Sequence, residues 1–81
     1  MNLNVLFFGS CREALDCGKY SLALDTPATV ANAFDQLCIE FPRLKDFGNS
    51  LMFAVNEEHC PRNFSLQEGD TLAVFPPVSG G

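Results

Sequence analysis

An α+β fold is predicted by the order and character of the segments along this 81-residue chain. Short apolar runs typical of strands surround one long stretch of helical periodicity that begins near Val30. The predicted order is strand, short helix, strand, long helix, strand, edge strand, strand. A sheet with the long helix across one face satisfies this order. We therefore expect one domain over residues 1–75 and an extended tail over residues 76–81.

The N-terminal part is predicted to form two strands joined by a short helix. Apolar residues dominate Asn2 to Phe8, and apolar and small residues alternate over Tyr20 to Leu24. Between them, Ser10 and Glu13 have the spacing of a capping box, in which each side chain binds the other's backbone N–H. Gly18 stands where a glycine commonly ends a helix.

The long helix has the clearest pattern in the chain. Thr29 is a favourable N-cap residue, and Pro42 disfavours a helical conformation at Phe41, so the helix should end there. One face carries the apolar residues Val30, Ala33, Phe34, Leu37, Cys38 and Phe41. Residues 43–49 are expected to form a loop or a helical turn.

Three further strands are predicted in the C-terminal part. Leu51 to Val55 is the first, and a short strand follows near His59. Pro61 confines that short strand to a sheet edge, because proline lacks the N–H of a sheet ladder. Gly69 suits the positive φ of the turn before the last strand, Thr71 to Phe75.

An apolar patch is expected beside the tail if the first and last strands are neighbours. Alternation that turns Val5 and Phe7 toward the helix leaves Leu6, Phe8 and Phe75 on the opposite side of the sheet. Exposed patches of this kind mark partner surfaces. In the alternative, a loop or the short helix covers these side chains.

Size and charge favour a function carried out with a protein partner. A domain of this length has no room for both a core and a deep catalytic pocket. The net charge of −5 and five scattered basic residues argue against nucleic acid and favour a basic protein surface. With no basic leader and no run of about 20 apolar residues, we expect no secretion signal and no membrane span, hence a cytoplasmic location.

The four cysteines are expected to be reduced and to bind no metal. Cys11, Cys17, Cys38 and Cys60 lack C-x-x-C spacing, and His59 is the single histidine. Cys38 falls in the apolar stripe of the long helix, so it should be a core residue. Cys11 would lie near the start of the short helix, where a lowered thiol pKa is possible.

The end of the sequence combines stiffness with an absence of side chains. Pro76 and Pro77 stop the last strand and keep the chain extended. Gly80 and Gly81 fit a channel too narrow for other residues, and they leave the α-carboxylate of Gly81 as the only reactive group. By themselves, two glycines at this position are also typical of a frayed end.

The chain resembles the small, sulfur-carrier subunit of molybdopterin synthase. The matching segments cover the chain: residues 5–8, Arg12-Glu13, Thr29-Val30, residues 54–56, Gly69-Asp70 and residues 75–81. The terminal heptad is the most specific of them. The resemblance implies a ubiquitin-like β-grasp fold, with a mixed sheet and the first and last strands paired at its centre. Residues 60–63 depart from the family pattern, being more polar and interrupted by proline.

The resemblance also implies a function. An adenylating enzyme of the ubiquitin-activating type would use ATP to activate Gly81, and a sulfur donor would convert it to a thiocarboxylate. The thiocarboxylate would then attack cyclic pyranopterin monophosphate inside the large synthase subunit, in a heterotetramer whose catalytic groups belong to that subunit. Residues 76–80, Pro-Pro-Val-Ser-Gly, would thread into its pocket. Phe8, Arg12 and Phe75 would contact the partner, although Arg12 alone is typical of a solvated helix residue. The chain would bind no cofactor itself.

Three alternatives share parts of this pattern. A related sulfur carrier would serve thiazole synthesis, tRNA thiolation or cysteine synthesis. Only the residue types at positions 75–78, Phe-Pro-Pro-Val, argue against it. A ubiquitin-like modifier would use the same activation of Gly81 but end in an isopeptide bond to lysine. A β-grasp binding module would need no free terminus.

Overall fold

The computed structural model describes residues 1–77. The elements, in chain order, are β1 (Asn2–Phe7), α1 (Gly9–Leu15), β2 (Lys19–Ala23), α2 (Val30–Glu40), a 3₁₀ helix (Pro42–Phe47), β3 (Met52–Val55), β4 (Glu58–His59) and β5 (Thr71–Phe75). Each predicted strand and helix is present, with ends within two residues of the expectation. The segment left open between a loop and a helical turn is the 3₁₀ helix.

The strands form one mixed sheet in the order β2-β1-β5-β3-β4. β1 and β5 pair in parallel, with Val5 opposite Leu72 and Phe7 opposite Val74. The other pairs are antiparallel. The expectation that the first and last strands are neighbours is confirmed, and β5 occupies the centre of the sheet.

The core lies between one face of the sheet and α2. The side chains with 1% exposure or less include Leu3, Val5 and Phe7 from β1, Leu72 and Val74 from β5, and Val30, Ala33 and Leu37 from α2. Because the residues of each strand alternate between faces, the helix covers only one of them. The predicted α+β fold, with one long helix across one face of a mixed sheet, is confirmed.

The start of α2 is held by a reciprocal cap. The Thr29 hydroxyl accepts from the Asn32 N–H at 3.3 Å, and the Asn32 side-chain oxygen accepts from the Thr29 N–H at 2.9 Å. Two further N–H groups of the first turn, those of Val30 and Ala31, donate to carbonyls of the loop before β5. The cap predicted at Thr29 is therefore present.

The ends of α1 differ from the prediction. The helix begins at Gly9, two residues earlier than a helix capped by Ser10 would, and the N-cap residue Phe8 is extended with no side-chain cap. The predicted Ser10–Glu13 capping box is wrong. At the other end Asp16, not Gly18, takes the left-handed conformation (φ 51°) that ends the helix. Aspartate tolerates this conformation because its short side chain bonds locally.

Side-chain hydrogen bonds join the turn after β3 to the turn before β5. The Asn56 amide donates to Asp70 Oδ1 at 3.0 Å, and its oxygen accepts from the Thr71 N–H at 3.0 Å. Asp70 Oδ2 accepts from the Gln67 N–H at 2.8 Å, and Gly69 has φ 82° as the turn requires. Two of the motif segments, residues 54–56 and 69–70, are thus structural partners that fix where β5 begins.

The divergent stretch after β4 packs on the core through an arginine. The guanidinium carbon of Arg62 lies 4.9 Å from the ring centroid of Phe34 and 5.0 Å from that of Phe53. A cation over aromatic faces is attracted by their quadrupoles. The polar composition that departs from the family pattern therefore leaves the fold intact, and β4 is an edge strand as predicted.

Candidate functional site: the root of the tail

The last strand delivers the tail at the centre of one sheet end. β5 ends at Phe75, and Pro76 and Pro77 follow outside the sheet. The Phe8 N–H donates to the Val74 carbonyl at 3.1 Å, so the parallel pairing of β5 with the β1 segment continues to Val74, one residue before β5 ends. The direction in which the chain leaves residue 75 is therefore fixed on one side by the β1–α1 corner.

That corner brings backbone close to the first proline. Gly9 turns the chain from β1 into α1 with φ 57°, a conformation that residues with a β-carbon rarely adopt. A β-carbon placed on Gly9 would lie 3.5 Å from Cγ and 3.6 Å from Cδ of Pro76. Pro76 is half-buried here, whereas Pro77 is exposed. The tail therefore starts from a packed position.

The face of the sheet opposite α2 is apolar around this root. We call it the open face, and its members on the strands and at the β1–α1 corner are Leu6, Phe8, Met52, His59, Ala73 and Phe75. Phe8 is 46% exposed and Met52 40%, whereas Leu6 and Phe75 are partly exposed. Neither α1 nor a loop covers them, so the exposed patch is present.

Two members of the open face were not identified from the sequence. Met52 is the direct neighbour of Phe75 across the β3–β5 pair, and the His59 ring meets the Phe75 ring edge to face with centroids 5.5 Å apart. Alternation along β3 and β4 indicates which of their side chains share a face. It places Met52 and His59 beside Phe75 only once the pairing of β3 with β5 and β4 is known.

Arg12 lies near the root without joining the open face. Its side chain extends over Gly18, where a β-carbon would come within 3.0 Å of Nε. Gly9, Arg12 and Gly18 line one shallow depression beside the β1–α1 corner. The exposed guanidinium is therefore available to a partner that approaches the tail root. Its predicted role, like those of Phe8 and Phe75, stays a prediction.

The remaining predicted tail residues, Val78, Ser79, Gly80 and Gly81, lie outside the described residues. The structure therefore bears on the base of the tail alone, and the predicted boundary between domain and tail at residue 76 stays a prediction.

Three of the four cysteines have thiols whose pKa is raised by burial. The Cys11 side chain is fully buried on the inner side of α1, and burial raises its thiol pKa to about 11. The lowered pKa considered for this residue is wrong, because removal from water disfavours the thiolate. Burial also raises the pKa values of Cys38 and Cys60. Cys38 is a core residue, as predicted.

Within residues 1–77, no helix is long and apolar enough to cross a membrane. The same range contains no group of three or more His, Cys, Asp or Glu side chains placed to hold a metal ion.

A mixed five-stranded sheet, one long helix across it and a central last strand that runs into a tail define a ubiquitin-like β-grasp protein. The chain belongs to the ThiS family, whose model matches residues 5–81. The molybdopterin synthase sulfur carrier subunit of Mycobacterium tuberculosis is 37% identical over 100% of this chain and 99% of its own length.

Solved structures agree with this assignment. SAMP1 from Haloferax volcanii, a small archaeal modifier protein, superposes with a TM-score of 0.88 at 29% identity, covering 100% of both chains. In Helicobacter pylori, subunit 1 of molybdopterin-converting factor, solved in complex with subunit 2, superposes with a TM-score of 0.72 at 23% identity, again over 100% of both chains. At that identity, the second likeness concerns the fold alone.

Proposed function

We propose that this chain is the sulfur-carrier subunit of a molybdopterin synthase and that Gly81 carries the sulfur. The observation that carries the proposal is the match of sequence to a sulfur-carrier subunit along the whole chain, tail included. The tail root supports it, because the chain leaves the sheet from a packed position beside an exposed apolar face.

The chemistry requires activation of the Gly81 carboxylate. An ionised carboxylate is a poor acyl donor at pH 7. The carboxylate attacks the α-phosphate of ATP on an adenylating enzyme, giving an acyl adenylate and pyrophosphate. The terminal sulfur of a carrier's persulfide then attacks the acyl carbon and displaces AMP. A thiol cleaves the S–S bond of the resulting acyl disulfide, which leaves a disulfide on the carrier and a Gly81 thiocarboxylate. The domain holds Pro76 in place, and residues 77–81 carry this group to the reaction site.

The acceptor chemistry belongs to a larger partner subunit. Within residues 1–77 the structure has shallow surface depressions and no cluster of catalytic groups beside the tail root. The open face provides an apolar surface on which the partner docks, with Arg12 at its margin. The tail enters the partner's pocket, where the thiocarboxylate transfers its sulfur to cyclic pyranopterin monophosphate.

The proposal is tested by changing the end of the tail. Deletion of Gly81, or addition of one alanine after it, should abolish molybdopterin formation with the large subunit, because the reactive carboxylate is lost or displaced. Tandem mass spectrometry of the C-terminal fragment, after incubation with ATP, the activating enzyme and a sulfur donor, should locate the oxygen-to-sulfur replacement on Gly81.

The thermal unfolding midpoint of both variants serves as the control for loss of the fold. It should be unchanged, because residues 78–81 follow the last strand. Full molybdopterin synthesis by the extended chain would refute the carrier role. Intact mass is insufficient as a readout, because oxidation of Met52 or a cysteine gives nearly the same mass change.

One observation favours a second candidate. The closely superposing SAMP1 is named as a protein modifier. In that role the same Gly81 adenylate would end in an isopeptide bond with a lysine of a target protein. Trypsin cleaves after Arg62, the last basic residue of the chain, so a modified target lysine would carry a remnant of residues 63–81. Such a remnant, with no free thiocarboxylate, would favour the modifier role over the carrier role.

A further inference from the structure

The sheet has two edges of different character. β4 is only two residues long and is followed by Pro61, so it offers little to an added strand. β2 is five residues long and pairs with β1 on one side only. Its outer edge is the longer row of backbone hydrogen-bonding groups at the border of the sheet.

The register identifies which β2 groups point outward. The Phe7 N–H donates to the Gly18 carbonyl at 3.0 Å, and the Leu24 N–H donates to the Met1 carbonyl at 2.9 Å. Hydrogen-bonded pairs recur at every second residue of an antiparallel ladder. Tyr20 and Leu22 therefore bond to β1, whereas the backbone groups of Lys19, Ser21 and Ala23 point away from the sheet.

One end of this edge is already occupied. The Cys17 thiol donates to the Lys19 carbonyl at 3.0 Å. Within residues 1–77, no hydrogen bond uses the N–H or carbonyl of Ser21 or Ala23. Four outward backbone groups on two alternate residues are thus available to an added strand, which is the repeat that strand pairing requires.

The surface between β2 and α2 lies beside this edge, and we call this surface the groove; a depression marks its end next to Ala23. Ala23, Leu24 and Asp25 line one end together with the polar helix residues Asn32 and Gln36. Spacing of four residues continues the same helix stripe to Glu40 at the other end. Leu24 is partly buried and supplies an apolar floor.

Tyr20 lies at the other end of the groove, next to the end of α2. Its ring packs edge to face on Phe41, with centroids 4.9 Å apart. Burial raises the pKa of the Tyr20 hydroxyl, and the nearby Glu40 carboxylate raises it further. Glu40 and Tyr20 are therefore neighbours across the groove.

The groove is acidic at both ends. Asp25 borders the end next to Ala23, and Glu40 borders the end next to Tyr20. Beyond Glu40, Asp16 and Arg43 line the adjoining depression, where Arg43 Nη1 donates to the Ala14 carbonyl at 3.4 Å. Lys19 points to the opposite face of the sheet, because neighbouring strand residues alternate. Carboxylates thus outnumber cations along the groove, in a chain whose net charge is −5.

We propose that the groove between β2 and α2 binds an extended segment of a partner protein, which adds to the β2 edge as a sixth strand. The segment carries apolar side chains at alternate positions, which pack on Tyr20 and Leu24, and a lysine or arginine near each end to meet Glu40 and Asp25. Backbone pairing supplies affinity, and the apolar and basic side chains supply selectivity.

This surface is separate from the tail root. β1 lies between β2 and β5, and the groove opens on the α2 side of the sheet, whereas the open face lies on the other side. A partner bound at β2 therefore leaves Phe75 free. The proposal does not rest on the sulfur-carrier function, and each can fail without the other.

The probe is the synthetic peptide acetyl-KTVTVTK-amide, in which both lysines and both valines lie on one face of the strand, titrated into the ¹⁵N-labelled full chain. Binding should shift the amide signals of Ser21, Ala23 and Gln36, with a dissociation constant in the submillimolar range. The same peptide with methylated backbone nitrogens at alternate residues should bind at least about tenfold more weakly, because it cannot form the strand pairing. Equal binding of both peptides, or shifts confined to the open face, would overturn the proposal.

Matched variants separate backbone from side-chain effects. Ser21→Pro removes the outward N–H, so peptide affinity should fall about three- to tenfold, whereas Ser21→Ala retains the N–H and should bind as the wild type does. The signals of α2 and the core must be unchanged in Ser21→Pro, and if they are not, the methylated peptide decides the question. Equal affinities for a folded Ser21→Pro and for Ser21→Ala would contradict strand addition.

The charge requirement has its own pair of variants. Asp25→Asn combined with Glu40→Gln should weaken binding about two- to tenfold and reduce its dependence on salt. Asp35→Asn removes an exposed carboxylate of α2 outside the groove and should leave binding unchanged. An equal effect of Asp35→Asn would mean that net charge, and not the groove, attracts the peptide, which would refute the assignment.

Discussion

Burial lowers the acidity of Cys11, the buried cysteine of α1. Cys11 is fully enclosed, and its thiol pKa is raised to about 11 because the thiolate would lose its hydration. Position in the sequence suggested the opposite, since the residue stands near a helix start. The structure turns its side chain into the core, so Cys11 packs as a small hydrophobic residue.

This pKa predicts a loss of stability at alkaline pH. In the unfolded chain the Cys11 thiol ionises near pH 9, whereas in the folded chain it stays protonated to about 11. The stabilising effect is therefore complete below pH 9 and is lost as the pH rises from about 9 to about 11. Urea unfolding at pH 8, 9, 10 and 11 should show a steeper fall in stability for the wild type than for Cys11→Ala. Parallel profiles would contradict the prediction.

At the scale of elements, α2 is the part that local sequence specifies best. Its apolar stripe, its Thr29 cap and its end before Pro42 all depend on residues within a few positions of each other. The same holds for β5, whose alternation and terminal prolines mark both its faces and its end. These elements were predicted with bounds close to those observed.

The reciprocal cap gives a measurable contribution to stability. Thr29→Ala removes the hydroxyl that accepts from the Asn32 N–H, and the unfolding free energy should fall by about 1 kcal/mol. Thr29→Ser keeps a hydroxyl at the same position and is the control, expected within about 0.5 kcal/mol of the wild type. Chemical denaturation of the three chains checks this. A loss in Thr29→Ser equal to that in Thr29→Ala would show that the methyl group, and not the cap, matters.

Elements whose ends depend on distant residues were predicted less well. The spacing of Ser10 and Glu13 fits a capping box, but the chain must turn sharply out of β1, and Gly9 makes that turn at positive φ and starts α1 early. The contact of Met52 and His59 with Phe75 depends on the β3–β5 register. Pairing partners distant in sequence leave no local pattern, so this part of the site required the structure.

At the scale of the whole molecule, the two sides of the sheet have different uses. α2 covers one side and closes the core. The other side stays apolar and uncovered at the end where the tail leaves. In the proposed function, the uncovered side is the surface on which the large subunit docks, because a chain of this size has little room for a deep reaction site of its own.

The docking role predicts that replacing Phe75 with alanine lowers the affinity for the large subunit. Phe75→Ala should weaken the complex with the large subunit by about tenfold or more, since aromatic side chains at the centre of an interface contribute most to binding. The half-exposed ring is outside the core, so the domain should remain folded. Titration calorimetry with the purified large subunit measures the affinity.

Ile39 provides the matched control for that experiment. It is 69% exposed on α2, away from the open face, so Ile39→Ala removes a comparable exposed apolar side chain without touching the proposed interface. Its affinity for the large subunit should equal that of the wild type. An unchanged affinity of Phe75→Ala would exclude the open face as the docking surface.

The parallel pairing of the first and last strands also has a consequence for synthesis of the chain. β1 is made first and β5 last, and the ladder between Asn4–Phe7 and Thr71–Val74 spans nearly the whole sequence. Contacts of such long range form late, because the loop between them must close first. On the ribosome, the central position of the sheet stays empty until residue 75 has emerged. Chains that end before Thr71 therefore lack the central strand of the sheet, and with it the strand end from which the tail leaves the domain.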